Sequence, residues 1–202
     1  MSTRLQDIIQ ECLNWIKIIG MKKRYLCLLR GINVSGHKII KMADLRIFLS
    51  NNGLENVKTY IQSGNILFYS EIQTKAEISI FIENLLFKEY GCEIPSLILE
   101  QKDLEQIILS NPYPKITETS TNKPYVCIPQ KRITKNQMEL LNELNYEGEY
   151  FTVTKHGVYL YCTKERNRCK LSNNLIESKI GISCSTRNWR TLLKLQSLFS
   201  TP

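Results

Sequence analysis

The chain has 202 residues and a formal net charge of +8, with 43% apolar and 23% charged residues. That composition supplies a hydrophobic core and excludes a disordered chain, and the length suits one large domain or two small ones. No stretch nears the roughly 18 consecutive apolar residues of a membrane span, and no basic segment leads into a clean apolar run of the secretory kind.

In chain order, residues 1–20 carry Leu5, Ile8, Ile9, Cys12, Leu13 and Ile16 at helical spacing, interrupted by Asp7 and Glu11. They read as an N-terminal extension, either helical or upstream of a true start at Met21. Tyr25–Leu29 is a continuous apolar run, the pattern of a buried strand. A loop punctuated by Gly31 and Gly36 follows, then a helical face from Met42 to Leu49, stopped at Asn51-Asn52-Gly53. Val57–Ile61 and Ile66–Tyr69 are strand-like runs flanking Ser63-Gly64-Asn65, which predicts a tight hairpin. A helix is expected from Lys75 to Tyr90, stopped by Gly91, then a strand from Ile94 to Leu99 that places Pro95 at its start or at a sheet edge. Asp103–Ser110 predicts another helix. Residues 112–123, rich in Pro, Thr, Lys and Asn, predict a linker.

Beyond the linker the order recurs. Tyr125–Ile128 predicts a strand and Lys135–Leu144 a helix, and Tyr150–Thr154 with Val158–Tyr161 predicts a hairpin about His156-Gly157. Leu171–Ile180 predicts a helix, Ile182–Ser185 a short strand and Trp189–Phe199 a last helix. The expected fold is therefore α+β: two tandem ferredoxin-like βαββαβ subdomains, over residues 21–111 and 124–202, each followed by a helix. The likeness between the halves lies in element order rather than in residues.

The seven cysteines are scattered, never in a C-x-x-C pair, and several sit inside apolar runs. They predict small core residues in a reduced cytoplasmic protein rather than metal ligands. With two distant histidines there is no metal motif, and no cofactor is expected. The positive charge is segregated. Residues 21–41 carry six cationic groups and no acid, residues 155–202 carry nine against two, and residues 42–154 are net negative. Such a field attracts anions.

Three motifs supply candidate ligand-binding residues. Arg30, Gly31, Asn33, Ser35, Gly36, His37 and Lys38 form a loop between a strand and a helix whose backbone amides are suited to an anion. Gly31–Lys38 spells G-x-x-x-x-G-H-K. The displaced lysine and the missing Ser or Thr argue against a nucleotide-triphosphatase loop. Tyr60 and Gln62 share a strand face beside that loop, and Asn65 tolerates a left-handed turn. Near the C-terminus, Ser185, Thr186 or Asn188 can cap the last helix, with Trp189, Leu192, Leu193 and Phe199 facing inward. Arg187 and Arg190 then stand by the positive helix end, a conflict that a bound anion relieves. A charged run, Lys164–Asn174, reads as a solvated loop ahead of a helix that Ser172 or Asn173 can cap.

The stretches L-L-R-G-I-N-V-S-G and T-Y-I-Q-S-G-N-I-L-F, within Tyr25–Phe68, resemble the opening of the bacterial domain of unknown function 1697 family. K-L-S-N-N-L-I-E-S-K-I-G and S-T-R-N-W-R-T-L-L-K-L resemble its C-terminal signature. The resemblance runs from about Met21 to Leu198 and implies an α+β fold, but no activity. Residues 1–20 depart from it, and Ser35 stands where the family commonly has Gly.

Three functions fit these residues. The first is a module that binds an anionic, phosphate-bearing small molecule or nucleic acid, with Tyr25, Phe68 and Tyr69 as stacking aromatics. The second is an enzyme on a small phosphorylated or carboxylated metabolite with His37 as acid–base group, and the third is a protein-interaction scaffold. No membrane partner is expected.

Overall fold

Tyr25-Leu26-Cys27-Leu28-Leu29 is apolar at every position because both faces of its strand are covered. In the computed structural model, which describes residues 22–34, 36, 38–113, 124–162 and 169–200, this run belongs to β1 (Lys23–Leu29). After it come α1 (Met42–Asn51), β2 (Glu55–Tyr60), β3 (Asn65–Ser70), α2 (Lys75–Tyr90), β4 (Ser96–Leu99) and α3 (Gln101–Leu109). The second half repeats the order with β5 (Pro124–Pro129), α4 (Lys135–Asn142), β6 (Glu149–Thr154), β7 (Gly157–Cys162), α5 (Asn173–Ile180), β8 (Cys184–Asn188) and α6 (Trp189–Ser200). The expected extension over residues 1–20, the linker from Pro114 onward, Ser35, His37 and residues 164–168 of the charged run lie outside the described residues. No helix among those described is long and apolar enough to cross a membrane.

The fold is mixed α+β, with two four-stranded antiparallel sheets ordered β2-β3-β1-β4 and β6-β7-β5-β8. Pro95 directly precedes edge strand β4, where its missing N–H costs no ladder bond. Helix ends follow local chemistry. Thr74 caps α2, Gly91 closes it at φ +68°, and Ser172 caps α5. The α3 helix starts two residues earlier than expected because the Asp103 carboxylate accepts the Glu100 amide at 2.9 Å.

Three hydrophobic clusters stack through the molecule. Tyr25, Cys27, Phe68 and Ile98 face α1 and α2. Leu26, Leu28, Leu67 and Leu97 face the opposite way, into a central cluster with Leu104 and Ile107 of α3, Leu192 and Leu195 of α6, and Val126, Ile128 and Tyr159 of the second sheet. Cys127, Val158 and Leu160 face α4 and α5. The halves thus share one core, in which α3 packs on β1 and β4, α6 packs on β5 and β8, and the two helices pack on each other. Tyr159 seals the contact by donating to the Ile107 carbonyl at 2.5 Å, one of the orphan acceptors at the end of α3.

The halves also match in register at their first strands. Leu29 pairs with Ser96 in one sheet as Pro129 pairs with Cys184 in the other. That register superposes Tyr25-Leu26-Cys27-Leu28 on Tyr125-Val126-Cys127-Ile128.

Candidate functional site

The glycine loop after β1 is organised by one side chain. Asn33, at φ +54°, donates from Nδ2 to the carbonyls of Ile40 (2.9 Å) and Gln62 (2.8 Å), and its Oδ1 accepts the Ile40 amide. Lys38, at φ +48°, reaches the Glu93 carbonyl at 2.5 Å. Gly31 and Gly36 lie at φ +70° and +79°, conformations that glycine adopts without strain. Arg30 leaves the loop entirely: its guanidinium crosses to α5, meeting Glu177 at 2.5 Å and Asn174 at 3.2 Å. A cavity of about 470 Å³ beside the loop is lined by Asn33, Ile39, Lys41 and Gln62 among others, with Lys41 its one charged wall.

The β2–β3 turn differs from expectation. Ile61 (φ +49°) and Gly64 (φ +71°) take the left-handed positions, while Asn65 begins β3 and is fully buried. Its Nδ2 donates to the Tyr60 carbonyl and the Ser63 hydroxyl. A Cβ on Gly64 would lie 2.7 Å from Leu29 Cβ, so this glycine is required by space as well as by φ. Tyr60 packs on the central core and Gln62 sits in the turn beyond β2, so the two do not form the expected polar pair.

The largest correction concerns Arg187. It lies in β8 rather than on a helix end, because residues 184–188 pair with β5 in register, Val126 opposite Arg187. Only 7% exposed, its guanidinium donates to Asn65 Oδ1 (2.6 Å) and to the carbonyls of Leu29 (2.8 Å), Ser63 (3.0 Å), Gly64 (3.4 Å) and Thr186 (2.9 Å). Burial lowers its pKa to about 10. Asn188 caps α6 by accepting the Arg190 amide, and Arg190 is exposed. Leu195 takes the inward place expected of Leu193, which is partly exposed. The two basic segments therefore do meet, through Arg187 on the Leu29 carbonyl and Arg30 on α5. The charges of Arg30, Lys38 and Arg187 are turned onto protein oxygens, whereas Lys41 and Arg190 are exposed. Tyr25 and Phe68 are fully buried under α1 and α2, so neither can stack a base.

The open concavity lies elsewhere. A cleft of about 960 Å³ runs between α2, β4 and α3 of the first half and the β5–α4 loop and β6–β7 turn of the second. Lys75, Lys102, Lys131, Arg132 and Lys155 line it against two acids, Glu83 and Asp103. Lys75 is paired with Asp103 at 2.7 Å and Lys102 with Glu100 at 2.9 Å. Lys131, Arg132 and Lys155 are exposed and make no ion pair among the described residues. His156 stands beside them, its pKa lowered by burial and then by Lys155 and Arg132, with Asp103 opposing. At the base, Glu83 Oε1 accepts the Ser96 amide (2.7 Å) and the hydroxyls of Ser96 and Ser79 (both 3.1 Å). Among the described residues no three His, Cys, Asp or Glu side chains converge as metal ligands.

Sequence reasoning missed this cleft. Its signals were Lys131-Arg132 directly after a strand and Lys155-His156 at a hairpin tip, two short pairs that only folding brings together.

A protein-family model described as "Protein of unknown function (DUF1697)" matches residues 21–159. The fold is similar to that of the conserved bacterial protein SP0830 from Streptococcus pneumoniae. The two share a TM-score of 0.70 and 25% identity over 89% of this chain and 100% of that one. No curated protein matches the chain. With the family model covering residues 21–159 of the 202, the chain belongs to the DUF1697 family of proteins of unknown function.

Proposed function

We propose that this protein binds a small anionic, phosphate-bearing ligand in the cleft between its halves, each half being a ferredoxin-like unit. The observation that carries the reading is the trio Lys131, Arg132 and Lys155. These cations have no protein partner among the described residues, and they converge from two loops on one concavity of about 960 Å³. That volume is at the upper end of small-molecule sites. Clefts lined by one sign of charge concentrate counter-charged ligands. The sheet orders support the ferredoxin-like reading, since each places the two crossover-linked strand pairs with one strand between them. A cytosolic setting belongs to the same proposal; the buried free thiols of Cys27, Cys127 and Cys184 support it, and the disulfide-bonded Cys169 runs against the reduced state expected of all seven cysteines.

The loss of Tyr25 and Phe68 as stacking surfaces favours a small ligand over nucleic acid. Calorimetric titration with pyrophosphate tests the proposal. Binding is expected to weaken with added salt, and the double variant Lys131→Ala/Arg132→Ala to lose about tenfold in affinity. Single-stranded RNA binding that is tighter than pyrophosphate and indifferent to the double variant would redirect the proposal. No response to pyrophosphate at millimolar concentration ends it.

A further inference from the structure

The two ends of the interface between the halves are equivalent in backbone and opposite in chemistry. The shared register makes Arg30 equivalent to Gln130, and Ser96 to Cys184. Arg30 donates its amide to the Pro95 carbonyl as Gln130 does to that of Ser183. Glu83 and Glu177 occupy different positions relative to the closing glycines Gly91 and Gly181, yet each carboxylate accepts the amide of the first residue of an edge strand, Ser96 at 2.7 Å and Cys184 at 2.6 Å.

At one end the arrangement is closed. The second oxygen of Glu177 is taken by the Arg30 guanidinium at 2.5 Å. At the other end, Gln130 turns its amide to the Ser96 carbonyl at 3.2 Å, and no guanidinium arrives. All the hydrogen bonds of Glu83 fall on Oε1, and Oε2 has no partner among the described residues. The two nearby lysines of the first half are held by Asp103 and Glu100. The result is an oriented carboxylate at the base of the cationic cleft, with the place Glu177 gives to a guanidinium left open to solvent.

We infer that the cleft takes a zwitterion: Glu83 receives an ammonium or guanidinium group of the ligand, and Lys131, Arg132 and Lys155 receive its phosphate. This rests on the reading of the cleft as an anion site and adds a requirement to it. A purely anionic ligand reaching the base meets a carboxylate of its own sign, whereas a cation there completes the arrangement seen at Glu177. Charge-assisted hydrogen bonds of this kind are the strong ones.

Titration of the full chain with inorganic phosphate, ethanolamine and O-phosphoethanolamine separates the two layers of the argument. O-Phosphoethanolamine is expected to bind about tenfold tighter than inorganic phosphate, an advantage of the size one charge-assisted hydrogen bond gives. Glu83→Gln, which keeps the Oε1 acceptor for Ser96, removes that advantage without weakening phosphate. Gln130→Arg, which supplies the missing guanidinium from the protein, also removes it and raises the melting temperature. If phosphate binds but the amine brings no advantage, or if both variants keep the advantage, the inference fails and the anion site stands. If neither phosphate nor O-phosphoethanolamine binds, both fail.

Discussion

The guanidinium of Arg187 is opposed by dipoles: four carbonyls and the Asn65 amide oxygen surround it, and it makes no ion pair among the described residues. A buried charge held this way is stabilised by hydrogen bonds that are themselves out of water, so each acceptor loses its partner if the arginine goes. Arg187→Met, similar in length but without donors, is expected to cost about 3 kcal/mol or more in urea unfolding, since several buried acceptors are orphaned together. A loss under about 1 kcal/mol would mean that water replaces the guanidinium at Leu29 and Asn65. The same residue explains one failure of legibility. In sequence, Thr186-Arg187-Asn188 before an amphipathic helix reads as a polar cap. Its pairing with β5 depends on acceptors from Leu29, Ser63 and Asn65, all more than 120 residues away.

Among the elements, those defined by continuous local pattern were legible: β1, the α2 helix with its Thr74 and Gly91 ends, and the hairpin about Gly157. The β2–β3 turn was not. Asn65 has the chemistry of a left-handed residue but is drawn into β3 by its bonds to Tyr60 and Ser63, and the left-handed place falls to half-exposed Ile61. A β-branched residue at φ +49° is strained, a left-handed conformation costing about 1–2 kcal/mol for residues with a Cβ. Ile61→Gly is therefore expected to raise stability by about 1 kcal/mol, read as a higher melting temperature. An unchanged or lower value would show that the Ile61 side chain makes contacts that outweigh its strain. The cleft was illegible for a related reason: Lys131-Arg132 and Lys155-His156 are each unremarkable pairs, and only the β5–β7 pairing sets their loops side by side.

At the scale of the whole molecule, the tandem reading was right in element order but gave no hint that the halves are inseparable. Leu26, Leu28, Leu67, Leu97 and Leu99 are nearly inaccessible because α3 and the second half together enclose them. A fragment of residues 22–111 would keep α3 but expose the apolar surface that α3 leaves uncovered, a patch of the kind that drives association. It is expected to run as an oligomer or aggregate on size exclusion, and a monomeric, cooperatively unfolding fragment would refute the shared core. Two halves of like strand order joined face to face resemble a dimer written in a single chain. In a dimer of identical subunits every substitution appears at both ends of the interface, so an arginine that locks one end locks the other. Joining both halves in one chain lifts that constraint. One half can keep Arg30 against Glu177 as a permanent latch, while the other, with Gln130, leaves Glu83 unlatched. The pairing of a fastener with a vacancy is something a symmetric dimer of this unit cannot encode.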